Sequence, residues 1–61
     1  MAEALRQILA DEAVALKAEA DLLRDDARRT ADPLEAISLS VSARRCENRA
    51  HDLAARARPP N

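Results

Sequence analysis

The chain has one cysteine and one histidine, Cys46 and His51, and any side-chain chemistry would begin with them. Glu47 precedes His51 by four residues, so a helix places both on one face. A Glu-His pair at this spacing can be half of a metal site in a helical bundle, doubled by a two-fold dimer. The inward stripe offers no further ligand at a matching depth. The pair therefore reads as a surface histidine beside a carboxylate, with no metal. Cys46 has Arg44 and Arg45 beside it, which would favour a thiolate and a redox or intersubunit disulfide role. It also stands where leucine stands elsewhere in the same stripe, and there a cysteine packs as a small hydrophobe. Asp25-Asp26 and Glu12 with Glu19 are carboxylate pairs of a kind common in charged helices. No Ser/His/Asp or Cys/His constellation can be assembled, because both reactive candidates are single and face different directions. Glycine is absent, so no phosphate-cradling loop exists. A chain of this size also lacks a pocket of enzyme dimensions. The expectation is a protein that is not an enzyme, with no catalytic residue, metal or cofactor.

Arginine offers a second kind of chemistry. Arg45, Arg49 and Arg56 align along an outer ridge of the second half, with Arg44, Asn48 and Arg58 beside them. Such a ridge can meet phosphates, and a dimer would present two. Asp52 interrupts it, and no aromatic residue is available to stack on bases. The net charge of −1 argues against a globally electrostatic nucleic-acid binder. Residues 1–32 carry a net −3 and residues 33–61 a net +2, as two complementary antiparallel helices would.

The elements that would position these residues are legible in a comb of alanines. Ala13, Ala20 and Ala27 recur every seventh residue beside Leu9, Leu16 and Leu23. Ala36, Ala43, Ala50 and Ala57 do the same beside Leu39, Cys46 and Leu53. Small and large side chains alternating at this period form a helix-packing seam. Helix 1 is expected over about 2–30 and helix 2 over about 33–57. Ile8, Ala15 and Leu22 widen the apolar face of helix 1, whereas Leu34, Ile37 and Val41 project from the opposite side of helix 2. Glu3 with Arg6, Asp21 with Arg24 and Asp25 with Arg29 are spaced for pairing along helix 1.

Asp32-Pro33-Leu34-Glu35 marks the corner. Asp32 can cap helix 2, Pro33 suits its first position, and Glu35 completes a capping-box pattern. The connection is then about three residues, Thr30 to Asp32, which predicts antiparallel neighbours. Without a glycine, Thr30 or Ala31 must close helix 1 by other means. A single long helix kinked at Pro33 is the alternative.

The pairs Ala13/Leu16, Ala20/Leu23, Ala43/Cys46 and Ala50/Leu53, set around a turn at Ala31-Asp32, resemble the Rop-like RNA-binding regulators of plasmid copy number. The resemblance covers most of the chain as a periodicity rather than a specific motif. It implies a short antiparallel hairpin that dimerises into a four-helix bundle with alternating small and large core layers. That family reads RNA with polar and aromatic residues on its first helix. Here helix 1 has no aromatic and is net acidic.

At 61 residues the chain is one domain at most and below the size at which one core is comfortable. A lone hairpin buries one stripe per helix, so self-association or a partner protein is expected to bury the rest. One unpaired cysteine fits a reducing compartment. No signal peptide or membrane-spanning run is read, since Glu3, Arg6 and Gln7 break the alanine-rich start. The expected fold is all-α, an antiparallel two-helix hairpin over 1–58 with a short tail at 59–61, dimerising into a four-helix bundle. The expected function is a cytoplasmic interaction or regulatory protein, a homodimer or an adaptor for a partner protein. Its interface residues would be Ile8, Leu22, Leu34, Ile37 and Val41. The alternative is a Rop-like nucleic-acid-binding regulator using Arg45, Arg49 and Arg56. A third reading is a segment that folds only on its partner.

Overall fold

A computed structural model describes residues 2–58. Met1 and the tail at 59–61 lie outside the described residues. Helix α1 runs Ala2–Arg29 and helix α2 runs Pro33–Ala57. The chain reverses between them, so it is an antiparallel hairpin and not one kinked helix. The expected element bounds hold to within a residue.

Both helices follow from alanine-rich, glycine-free sequence with acids in the first turn and arginines in the last. Glu3 and Glu35 lie at the two N-terminal ends, Arg28, Arg29 and Arg56 at the C-terminal ends. The corner closes without glycine through two side-chain bonds. The Thr30 N–H donates to the Asp26 carbonyl at 3.0 Å, a last helical bond. The Asp32 N–H then donates to the Thr30 hydroxyl at 3.3 Å. Asp32 is extended, with φ −87° and ψ 114°, as a residue before proline prefers. Its carboxylate accepts from the Leu34 N–H at 3.0 Å, and its carbonyl accepts from the Ala36 N–H at 2.9 Å. The cap is the expected one. The reciprocal arm differs: Thr30, two residues back, takes the Asp32 N–H that a capping box would give to Glu35.

The seam between the helices is made of alanine. Ala20 and Ala43 are fully buried, and Ala13, Ala50 and Leu53 are nearly so. Side chains this small let the helix axes approach closely. Ala27, Ala36 and Ala57 are half-buried toward the ends of the same seam. The larger comb lies to one side of it. Leu53 and the half-buried Leu9 and Leu16 pack against Ala13 and Ala50.

Candidate interaction surface

Seven-residue spacing keeps each stripe nearly in line along its helix, drifting about 20° per repeat. The seam therefore divides the hairpin into two flanks. One flank carries Leu5, Leu9, Leu16 and Leu23 from α1 and Leu39, Cys46 and Leu53 from α2. Of these only Leu53 is buried. Leu5 is exposed and the others are half-buried. No large side chain of the described residues is fully buried. The hairpin thus leaves its larger apolar comb partly in water, along most of its length.

The opposite flank mixes small apolar and charged side chains and carries an ion pair across the seam. The Arg24 guanidinium donates to both carboxylate oxygens of Glu47, through Nε at 3.3 Å and through Nη2. This bond holds the Glu47 carboxyl below its ordinary range. Partial desolvation opposes the shift, and the charges of Arg24, Lys17 and Arg44 add to it. The same bond raises the Arg24 guanidinium. The two residues are not level in the hairpin. They meet because side chains on each helix lean toward their own N-terminus, which in antiparallel helices means toward each other. A shallow groove of about 680 Å³ opens farther along this flank, between Ala10, Val14 and Lys17 on α1 and Glu47, His51 and Ala54 on α2.

The expected surface residues are all exposed, but they divide into two groups. Ile8 and Leu22, at 63% and 61% exposure, border the leucine flank on α1. Leu34, Ile37 and Val41 lie on the outer side of α2 near the corner, with Ile37 and Val41 beside Arg24 and Arg44. They belong to a different surface. Arg45, Arg49 and Arg56 are exposed on α2, and Arg56 is paired with Asp52 at 3.3 Å. Cys46 is a free thiol, half-buried within the leucine flank.

Two pairings differ from the sequence expectation, and a third, Asp25 with Arg29, holds with an added partner. Glu47 bonds Arg24 across the seam instead of His51 on its own helix. Arg24 accordingly turns to Glu47, with Asp21 acting only as a nearby charge. Asp25 meets Arg28 as well as Arg29, the latter at 3.8 Å. The signal for the Arg24–Glu47 pair was present as opposite charges flanking the alanine comb on the two helices. Finding it requires the lean of antiparallel side chains, which spacing along one helix does not reveal.

Among the described residues no group of three or more His, Cys, Asp or Glu side chains converges to hold a metal ion. None of the helices is long and apolar enough to cross a membrane. Comparison with protein-family models, curated proteins and solved structures returned no match.

Proposed function

We propose that the chain is a non-enzymatic helical interaction protein that works as a homodimer, two hairpins closing leucine flank to leucine flank into a four-helix bundle. One observation carries this reading. The buried side chains among the described residues are four alanines and Leu53, whereas Leu9, Leu16, Leu23 and Leu39 are only partly covered and Leu5 is exposed. Fully burying a leucine is worth roughly 1.5–3 kcal/mol, and part of that gain is still open to the isolated hairpin. A second copy supplies the missing cover with an identical face, as a two-fold interface requires. Ile8 and Leu22 border that interface. Leu34, Ile37 and Val41 stay outside it, as apolar surface for a partner protein, which makes the bundle an adaptor or regulator. A free cysteine within the interface suits a reducing compartment such as the cytoplasm.

The Rop-like nucleic-acid reading uses the same bundle but asks Arg45, Arg49 and Arg56 to meet phosphates. The Asp52 partner of Arg56 and the absence of aromatics favour the protein-interaction reading. Sedimentation equilibrium at micromolar concentration is expected to return the mass of a dimer. A well-folded monomer overturns the proposal. Salt-dependent RNA or DNA binding that weakens on replacing the three arginines by alanine would transfer the function to the alternative.

A further inference from the structure

Resting on the dimer reading above, we infer that the two copies pack with α1 against the partner's α2, so that both corners lie at the same end of the bundle. Two hairpins can join by one flank about a two-fold axis in two ways. With the axis along the bundle, α1 lies against the partner's α2 and the corners coincide. With the axis across it, α1 lies against the partner's α1, α2 against the partner's α2, and the corners are at opposite ends.

The charges bordering the leucine flank separate these two. On α1 the outer border of the flank carries Glu12, Glu19 and Asp26, each seven residues after the last. On α2 the border carries Glu35, Ser42, Arg49 and Arg56 at the same period, with Arg45 and Asp52 beside them. All but the half-buried Ser42 are exposed in the hairpin. The α1 border is acidic, and the α2 border is mainly basic beyond its acidic start at Glu35.

With the axis along the bundle, residues of α1 and the partner's α2 stand at the depths they have within one hairpin, where Ala13 is level with Ala50 and Ala20 with Ala43. The lean that brings Arg24 to Glu47 across the seam acts here too. It sets Glu12 toward the partner's Arg56 and Glu19 toward the partner's Arg49. Asp26 falls opposite the partner's Ser42, which carries no charge. Arg56 can leave Asp52 or share it, since that pair is exposed. Glu12 and Glu19 thus meet charges of opposite sign, whereas Glu35 at the corner end comes near a like charge, the partner's Asp26. With the axis across the bundle the facing helices are again antiparallel, and the same lean sets Glu12 toward the partner's Asp26, Glu19 toward the partner's Glu19, Arg45 toward the partner's Arg56 and Arg49 toward the partner's Asp52. Three of these four matches are of like sign, including both on α1, and the arrangement is disfavoured. The leucine layers close in either case, so the border charges decide the orientation.

Two measurements test this. Spin labels at position 31, introduced by Ala31→Cys in a Cys46→Ser background, report the corner-to-corner distance in the dimer. The same-end arrangement places them within about 25 Å, given helix axes about 10 Å apart. The opposite arrangement separates them by about 40 Å, the length of α1. Glu12→Arg is expected to weaken the dimer about three- to tenfold at low salt, with the effect shrinking in high salt, and Arg56→Glu on the same chain to restore it. Glu12 is exposed, so helicity by circular dichroism is expected to be unchanged at concentrations that keep the variant dimeric. A long corner distance together with a tighter Glu12→Arg dimer overturns this orientation while leaving the dimer standing. A chain that sediments as a monomer overturns the dimer itself.

Discussion

Leu16 is the residue at which the hairpin and the bundle differ most in consequence. In the hairpin it packs on Ala13, Ala50 and Leu53 with its outer side in water. In the dimer it is part of a closed layer. Leu16→Ala is therefore expected to cost about 2–5 kcal/mol per chain by urea unfolding, the range for a leucine taken from a packed core. A loss below about 1 kcal/mol would mean that its outer side faces water. Glu47 makes a residue-scale prediction of another kind. Its folded carboxyl is held low, first by the bond from Arg24. The unfolded carboxyl, near its ordinary value of 4.5, binds a proton first as the pH falls. The pair's contribution is thus complete above that value and is lost as the pH drops through the lowered folded value. Glu47→Gln is expected to lower Tm at pH 7, where the pair is intact, and to converge on the parent chain as the pH falls below about 4.5, which flattens the acid side of the Tm-against-pH curve. An acid limb as steep as in the parent chain would show that other carboxylates govern it. The sequence led to the right stripe for Cys46, because heptad position alone assigns it. It led to the wrong partner for Glu47, because a pair across two helices depends on relative depth and on side-chain lean.

The corner carries the argument at the scale of elements. Proline at the first position of α2 and aspartate before it leave few conformations for the chain, and both are visible as letters. The half that was not visible is the closing of α1. Without glycine no residue among those described takes a positive φ. The Thr30 hydroxyl accepts the Asp32 N–H instead, and Glu35 is left out of the box. A hydroxyl two residues away and a carboxylate three residues on compete for one N–H, and composition does not decide between them. Asp32→Ala removes the acceptor for the Leu34 N–H while leaving Pro33 in place. It is expected to cost about 1 kcal/mol per chain in thermal or urea unfolding. No measurable change would show that the cap is dispensable to the turn. The two flanks are likewise an element-scale property. The alanine comb foretold close packing, but the division of the outlying residues into Ile8 and Leu22 on one surface and Leu34, Ile37 and Val41 on another follows only from how the helices face each other.

For the molecule as a whole, the governing fact is a core of alanine. A structure about 47 Å long and 14 by 12 Å across has little interior, and what it has is filled by the smallest side chains. The larger leucines lie along one flank, the face that we propose a second copy covers. The hairpin itself was legible in the sequence, since periodicity and corner both depend on local order. Assembly was legible as a need for more burial, whereas the direction of assembly depends on charges that flank the flank. The most direct test is sedimentation equilibrium of the intact chain over a micromolar concentration series, with circular dichroism recorded on the same samples. The account predicts a helical species at twice the chain mass that dissociates with loss of helix on dilution. A species of single-chain mass, helical throughout the series, would contradict it.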